Sequence, residues 1–253
     1  MTSRPALGRL LRRRRRPAAP VPAVDRLDPA DEEILAEVRP HTLTSPMRVE
    51  ALLQAVRYVV ARQVPGAFAE CGVWRGGSVL AMVRQLQRLG QDDRDLYLYD
   101  TFEGMTAPTE HDTSEFDPPA LAVWEEAAAT DARPWGGLFD DAVFNEQQVS
   151  ELLHATGYPT ERIHLVKGPV ETTLPGRAPE QLAILRLDTD WYESTLHELV
   201  HLYPRLSPGG VLVIDDYGHW DGCRRAVDEY FATHASPVLL QRVDYTGRLA
   251  VKW

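Results

Sequence analysis

The sequence predicts an α/β protein built on a mainly parallel sheet of seven strands. From residue 31 onward, short strand-like runs alternate with stretches of helical periodicity, and this alternation is typical of βαβ units with parallel strands. Hydrophobic residues make up 44% and charged residues 25% of the 253 positions, which are ordinary values for a globular protein. No apolar run reaches the roughly 18 residues that a membrane-spanning helix needs, so the sequence predicts no transmembrane protein.

The helices are predicted from apolar stripes and from the residues that begin or end them. A proline at position 46 suits the first turn of a helix, apolar residues then recur at three- and four-residue spacing, and Pro65-Gly66 ends the segment. In chain order, the predicted helices are 31–38, 46–62, 78–89, 120–129, 146–155, 192–203 and 222–233.

The strands are predicted from short apolar runs that lie between turn residues. In chain order they are 67–71, 96–99, 163–166, 183–187, 210–214, 238–243 and 248–252. The last two are joined by Asp244-Tyr245-Thr246-Gly247 and are expected to form an antiparallel hairpin at the end of the sheet. Ligands of such sheets bind beyond the carboxyl ends of the strands, where the strand order reverses. The residues at those ends are therefore the candidates for function.

Two segments depart from the alternation of strands and helices. Residues 1–30 hold seven arginines within the first 16 positions, followed by closely spaced prolines. This composition predicts a disordered leader ahead of a single domain over 31–253. Residues 103–145 are rich in acids, proline and tryptophan and contain one predicted helix. A long irregular segment of this kind is typical of a lid over a binding site.

Charge and cysteine content exclude several classes of protein. The chain carries −10 overall, and residues 17–253 hold 20 basic against 37 acidic side chains, so this part would repel nucleic acid phosphates. The basic leader could be a nucleic-acid or membrane-surface arm, but a solvated leader is the commoner case. Prolines interrupt the apolar stretch that a secretory signal needs, and Cys71 and Cys223 make no disulfide framework. Both observations predict a cytoplasmic protein.

The first strand ends in Glu70 and leads into a glycine-rich turn. Gly72, Gly76 and Gly77 allow a ligand to approach the backbone at the start of a helix, although their spacing is not the GxGxxG of dinucleotide sites. Glu70 would repel a pyrophosphate, whereas it suits the amino group and sulfonium of S-adenosylmethionine. Asp100 ends the next strand, where it could accept hydrogen bonds from ribose hydroxyls. The alternative is a turn that serves only tight helix packing.

Four aspartates follow two later strands. Asp188 and Asp190 come after the fourth predicted strand, and Asp215 and Asp216 come directly after the fifth. Adjacent parallel strands would bring all four to one edge of the sheet, where they need a bound cation or raised pKa values. Oxygen ligands without cysteine or histidine suit Mg²⁺ first, with Ca²⁺ or Mn²⁺ as alternatives. Taken singly, each aspartate could be a helix N-cap, and the nearby His219 could be a base, a substrate contact or neither.

Several motifs occur in order over about residues 41–252. They are His41-Thr42; Val64-Pro65-Gly66; Glu70-x-Gly72-Val73-Trp74-Arg75-Gly76-Gly77; Asp100-x-Phe102-x-Gly104; Leu185-Arg186-x-Asp188-x-Asp190-x-Tyr192; Tyr203-Pro204-Arg205-Leu206-Ser207-Pro208-Gly209-Gly210; Ile214-Asp215-Asp216-Tyr217; and Cys223-Arg224-x-Ala226-Val227-x-Glu229-Tyr230. In these motifs the chain resembles the macrocin O-methyltransferase family. Members of that family methylate sugars of macrolide and aminocoumarin antibiotics, with S-adenosylmethionine as cofactor and magnesium as metal.

The resemblance implies a fold and a metal site. The fold would be the doubly wound, Rossmann-like sheet of class I methyltransferases. Asp188, Asp215 and Asp216 would ligate Mg²⁺, and Asp190 would be the general base.

The resemblance also implies a binding site for S-adenosylmethionine. The residues around its methionine part would be Glu70, Gly72, Gly76, Gly77 and Ser78. Asp100 would bind its ribose, and Thr42 and Gly168 lie where similar proteins contact the cofactor.

The function predicted in this way is O-methylation of a sugar hydroxyl on a glycosylated small molecule, by an enzyme that is expected to form a homodimer. Residues 1–40 and 103–145 depart from the family pattern, and both would shape the acceptor pocket. One alternative is methylation of a catechol or another vicinal diol, since chelation suits any adjacent pair of hydroxyls. The others are a nicotinamide-dependent oxidoreductase on a similar sheet and a binding protein without catalysis.

Overall fold

The computed structural model describes residues 27–234 and 236–253. Its helices are α1 Pro29–Val38, α2 Pro46–Ala61, α3 Gly77–Arg88, α4 Ala120–Ala129, α5 Glu146–His154, α6 Val170–Thr173, α7 Tyr192–Leu202 and α8 Asp221–Thr233. Its strands are β1 Ala67–Cys71, β2 Leu96–Asp100, β3 Ile163–Lys167, β4 Leu182–Leu187, β5 Leu206–Ile214, β6 Gln241–Arg242 and β7 Arg248–Val251. Residues 1–26 of the leader predicted over 1–30 lie outside the described part of the chain. Helix α1 begins at Pro29, two residues before the predicted start at residue 31.

Within the described residues, seven strands form one sheet in the order β3-β2-β1-β4-β5-β7-β6. The pairs from β3 to β5 are parallel, whereas β7 runs antiparallel to both β5 and β6. The mainly parallel sheet and its closing hairpin are therefore confirmed. The strand order reverses between β1 and β4, and these two strands flank the point at which such sheets bind ligands.

Helices cover both faces of the sheet. One apolar cluster packs α1, α2, α3 and α5 against one face, and a second packs α7 and α8 against the other. Because side chains alternate along a strand, β4 gives Ile184 to the first cluster and Leu185 to the second. In the described ranges, no helix combines the length and the hydrophobicity that a membrane crossing needs.

Two helix starts fix the backbone next to the carboxyl edge of the sheet. Helix α2 begins with Pro46, and the Ser45 side chain caps it by accepting a hydrogen bond from the amide of Arg48 at 3.3 Å. Helix α3 begins at Gly77 rather than at residue 78, because Gly76 takes a left-handed conformation with φ of 81° at the N-cap. Both starts bring loop residues to the same end of the sheet.

Two predicted strands differ clearly from the structure, and one short helix was missed. The strand predicted over 238–243 is reduced to Gln241–Arg242, because Val238 and Leu240 pack against the core instead of pairing along the sheet. Strand β5 begins earlier than residue 210, since Leu206 already pairs with Leu182 of β4. Helix α6 was not predicted, because its four residues are too few to reveal a helical period.

Candidate active site

A cavity of about 390 Å³ opens at the carboxyl ends of the strands next to the reversal of strand order. The predicted site residues in its wall are Thr42, Glu70, Gly72, Ser78, Asp100, Gly168, Asp188, Asp190, Asp215 and Asp216. Gly76 and Gly77 belong to the adjoining turn rather than to the wall. Nearly every site residue selected from the sequence therefore lies in one cavity, at the edge of the sheet where ligands of such folds bind.

The glycine-rich turn is shaped by contacts with the chain itself. A Cβ at Gly77 would lie 2.5 Å from the carbonyl oxygen of His41, so only glycine allows this close approach. The loop that carries Thr42 is thereby held against the start of α3, where the Ser78 side chain is buried. On its Cβ side, Gly77 therefore approaches residues 41 and 42, and its predicted contact with a ligand stays a prediction.

Asp100 organises the same turn from the end of β2. Its Oδ2 accepts hydrogen bonds from the amides of Val73 at 2.8 Å and Trp74 at 2.9 Å, and its Oδ1 accepts one from Phe102 at 2.7 Å. Burial raises the pKa of Asp100, and these three amides act in the opposite direction. The sequence predicted a ribose contact at this position but did not predict the backbone role.

Glu70 lies in the wall of the cavity, with only 1% of its surface exposed. Its Oε1 accepts a hydrogen bond from Arg186 at 2.8 Å, whereas its buried Oε2 has no partner among the described residues. Burial raises the pKa of Glu70, and the charge of Arg186, which contacts it directly, acts against this rise and favours the carboxylate. A buried carboxylate oxygen without a partner is a free acceptor for a ligand group that donates hydrogen bonds.

Asp188, Asp215 and Asp216 converge beyond the ends of β4 and β5. Each offers a carboxylate oxygen, and the three atoms lie within 4.8 Å of one another. Asp190 also faces the cavity, with its backbone in the left-handed region at φ of 67°. Burial and then the charge of Asp188 raise the pKa of Asp190 to about 7. The predicted convergence of the four acids is present, and strained backbone is typical of functional sites.

Two arginines compensate part of this negative charge. Arg186 of β4 contacts Glu70, Asp188 and Asp215, and Arg48 of α2 contacts Asp215 and Asp244. Neither arginine was assigned a role from the sequence. An arginine within the apolar run of β4 was the available signal, since a buried arginine requires acidic partners. Arg48 lies far from the acids in sequence, so its role depends on the fold.

The segment 103–145, which we predicted to be a lid, contributes a second wall of the cavity. Its residues in that wall are Gly104, Met105, Thr106, Asp117, Trp135, Leu138 and Phe139. His219, whose role was left open, connects this segment to the hairpin: its ring nitrogens lie 2.7 Å from Asp117 Oδ2 and 2.9 Å from the Tyr245 hydroxyl. His219 therefore belongs to the site, on the side formed by this segment.

The sheet order, the cavity at its reversal point and the glycine-rich turn beside a buried acid define a Rossmann-like enzyme of the class I methyltransferase type. The family model described as Macrocin-O-methyltransferase (TylF) matches residues 26–252. The chain belongs to this family, and it is an O-methyltransferase that depends on S-adenosylmethionine.

Curated relatives and a solved structure agree with the family. The 8-demethyl-8-(2,3-dimethoxy-alpha-L-rhamnosyl)-tetracenomycin-C 4'-O-methyltransferase of Streptomyces olivaceus is 34% identical over 223 residues, which are 86% of this chain and 79% of that protein. Mycinamicin III 3''-O-methyltransferase of Micromonospora griseorubida is 31% identical over 207 residues, or 82% and 76% of the two chains. The structure of the O-methyltransferase NovP superposes with a TM-score of 0.69 at 30% identity, covering 84% of this chain and 82% of NovP.

Proposed function

We propose that this enzyme transfers the methyl group of S-adenosylmethionine to a sugar hydroxyl of a glycosylated natural product, and that Mg²⁺ assists the transfer. The observation that carries the proposal is the group of three carboxylates, Asp188, Asp215 and Asp216, which lie within 4.8 Å of one another in the wall of the cavity. The name of the relative from Streptomyces olivaceus specifies a rhamnosyl-bearing substrate, which supports a sugar as the acceptor.

The residues around the glycine-rich turn fit S-adenosylmethionine. Glu70 has a buried carboxylate oxygen without a partner among the described residues, and the amino group of the cofactor is a donor that would satisfy it. We assign the methionine part to Glu70, Gly72 and Ser78, with Gly76 and Gly77 shaping the turn. The ribose is assigned to Asp100.

The edge of this cofactor site is formed by residues that lie outside the turn. Thr42 and Gly168 both belong to the cavity wall, and we assign them contacts with the cofactor. Gly168 has φ of 129° and donates its amide to the carbonyl of Asp100 at 2.9 Å. It therefore joins the loop after β3 to the proposed ribose site.

The acid group fits a hard divalent cation. Its ligand atoms are all carboxylate oxygens, which Mg²⁺ prefers, and Ca²⁺ and Mn²⁺ use the same donors. The buried Oδ2 of Asp216 has no hydrogen-bond partner in residues 27–234 and 236–253. Burial, followed by the charges of Asp190 and Asp188, holds the pKa of Asp216 well above its usual range, which is the expected behaviour of a buried acid among other acids.

When bound, S-adenosylmethionine supplies the electrophilic methyl group and Mg²⁺ lowers the pKa of the acceptor hydroxyl. The chain itself would supply a proton acceptor and an oriented pocket. Two acids follow β4 in the cavity wall, Asp188 and Asp190. Asp188 is assigned to the metal, and we assign Asp190 the role of general base. Trp135, Leu138 and Phe139 would exclude water from one side.

We also propose that the enzyme is a cytoplasmic homodimer that binds neither nucleic acid nor membranes. The excess of acidic over basic side chains in residues 17–253 supports the absence of nucleic acid binding. Light scattering on purified protein tests the dimer, because a monomeric mass at micromolar concentration would contradict it.

Calorimetry combined with an acceptor assay tests the proposed function. S-adenosylhomocysteine should bind with micromolar affinity, and methylation of a rhamnosylated polyketide should require Mg²⁺ and stop when a chelator is added. Full activity in the chelator would contradict the metal. Catechols serve as the comparison substrates, and faster methylation of a catechol than of any glycoside would replace the sugar with the alternative acceptor.

A further inference from the structure

One buried arginine contacts both the carboxylate of the cofactor site and two carboxylates of the proposed metal site. Nη1 of Arg186 donates to Glu70 Oε1 at 2.8 Å and to Asp188 Oδ2 at 2.7 Å. Nη2 donates to Asp215 Oδ1 at 2.8 Å and to Thr44 Oγ1 at 2.9 Å. A single nitrogen atom, Nη1, therefore divides its hydrogens between the two subsites.

The fold holds Arg186 in this position. In the parallel pairing of β1 with β4, Glu70 lies directly opposite Arg186, so both side chains leave the sheet on the same face. The Arg186 side chain is 1% exposed, and the guanidinium is enclosed by its partners. Thr44 belongs to the loop before α2 and completes this enclosure.

Negative charge exceeds positive charge around the guanidinium of Arg186. Three carboxylates, those of Glu70, Asp188 and Asp215, share the positive charge of Arg186, and of the three only Asp215 also contacts a second arginine, Arg48. Buried charges interact strongly because water and salt screen them poorly. If one of the three carboxylates loses its charge, the guanidinium is drawn toward the remaining two. A cation that binds to one carboxylate has the same effect as the loss of that charge.

We propose that Arg186 is a positioning residue through which the two subsites oppose each other. A cation at Asp188 and Asp215 shifts the guanidinium toward Glu70, which then holds the amino group of the cofactor less tightly. By reciprocity, the amino group at Glu70 weakens the binding of the divalent cation. The cofactor side of this inference rests on the family, and its metal side rests on the proposed function. We expect each ligand to weaken the other by about 5-fold or more.

Isosteric amide variants on either side of Arg186 test the coupling while leaving the arginine in place. Substitution of Arg186 itself is unsuitable, because it would leave three buried carboxylates without their countercharge. Glu70→Gln should weaken the binding of Mn²⁺, measured by electron paramagnetic resonance without cofactor, by about 5-fold or more. Asp100→Asn is the matched control, because it removes an acid from the cofactor side whose hydrogen bonds go to backbone amides. It should change Mn²⁺ binding by less than about twofold.

The reverse experiment needs no metal. Asp188→Asn should weaken the binding of S-adenosylhomocysteine by about 5-fold or more in a chelating buffer, measured by calorimetry. Asp216→Asn is its control, because Asp216 belongs to the acid group but is not one of the hydrogen-bond partners of Arg186. It should leave the affinity within about twofold of the original.

The outcomes separate the coupling from the proposed metal site. If the unchanged enzyme binds no Mn²⁺, the metal part of the proposed function fails, and the calorimetric comparison alone decides the role of Arg186. If Glu70→Gln and Asp100→Asn alter Mn²⁺ binding equally, or Asp188→Asn and Asp216→Asn alter cofactor binding equally, Arg186 does not couple the subsites. Circular dichroism of each variant must match the original spectrum, so that a loss of affinity is not a loss of fold.

Discussion

Gly72 lies so close to Asp188 that a Cβ at Gly72 would stand 1.9 Å from the carbonyl oxygen of Asp188. The amide of Asp188 donates to the carbonyl of Cys71 at 2.9 Å, which continues the pairing of β1 with β4 beyond the strand ends. Backbone contacts therefore hold the glycine-rich turn against the first proposed metal ligand. A side chain at Gly72 would separate them.

Gly72→Ala should strongly destabilise the enzyme and abolish its activity. The residue has φ of 82°, a conformation that costs an alanine about 1–2 kcal/mol, and the contact with the backbone of Asp188 has no flexible side chain to relieve it. We expect the free energy of unfolding to fall by more than about 4 kcal/mol, a size that is exceptional for one substitution. Urea unfolding measures this change.

Gly157→Ala is the control for the conformational part of that effect. Gly157 has φ of 75°, and a Cβ there would meet nothing within 4 Å. Its substitution should therefore cost only about 1–2 kcal/mol and leave activity intact. Equal losses of stability in the two variants would show that the approach of Gly72 to Asp188 has no energetic consequence.

The acids of the site could be predicted from the sequence because two local rules select them. Each of Glu70, Asp188 and Asp215 ends or directly follows an apolar run, and parallel strands bring such ends to one edge. The alternation of strands and helices was enough for the sheet class. The strand predicted over 238–243 was largely wrong. Its apolar residues Val238 and Leu240 pack against the core, and an apolar run in a sequence does not distinguish residues that pack in this way from residues that pair in a strand.

The charge balance of the site could not be predicted, because it depends on contacts between distant parts of the chain. Arg48 meets Asp215 across 167 positions, and His219 meets Asp117 across 102. The helix that carries Arg48 has an ordinary apolar stripe, and its polar residues would be solvated by default. Only the packing of α2 against the sheet brings Arg48 to the acids.

Asp190→Asn should lower turnover by about 10²- to 10⁴-fold, the usual contribution of a general base. An amide cannot take a proton from the acceptor, whereas its size and shape are close to those of the carboxyl group. The affinity for S-adenosylhomocysteine, measured by calorimetry, should change by less than about twofold, since cofactor binding is assigned to other residues. Asp221→Asn, at the exposed start of α8, is the control and should keep full activity. A fully active Asp190→Asn enzyme would remove Asp190 from the mechanism.

Asp216→Asn should weaken the binding of Mn²⁺ by at least about 10-fold. The substitution removes one of the three carboxylates that lie within 4.8 Å of one another, and loss of a charged ligand is costly for a hard cation. Electron paramagnetic resonance of free Mn²⁺ measures the affinity. Asp93→Asn removes an exposed acid before β2, at the opposite edge of the sheet, and should leave binding unchanged. If both variants bind alike, the three acids do not hold the metal.

His219 lies between two parts of the chain that close the cavity. It contacts Asp117 of the segment 103–145 on one side and Tyr245 of the hairpin turn on the other. Phe116 stacks on its ring, with centroids 5.4 Å apart and an interplanar angle of 22°. His219 therefore anchors this part of the segment to the hairpin turn at the wall of the cavity.

His219→Ala should raise KM for the acceptor by about 5- to 30-fold, because the loss of hydrogen bonds and stacking at this anchor costs about 1–2 kcal/mol. The affinity for S-adenosylhomocysteine should stay within about twofold, since the hydrogen-bond partners of His219 are Asp117 and Tyr245, and neither is assigned to the cofactor. Asp117→Ala should have a similar effect, and the double variant should be little worse than either single one, because both remove the same contact. Thr113→Val is the matched control: it removes the 3.0 Å bond from Thr113 to Asp221, which joins the same segment to α8. An equal rise of KM in Thr113→Val would assign the effect to general loosening of the segment, whereas an effect confined to His219 and Asp117 would assign acceptor binding to this anchor.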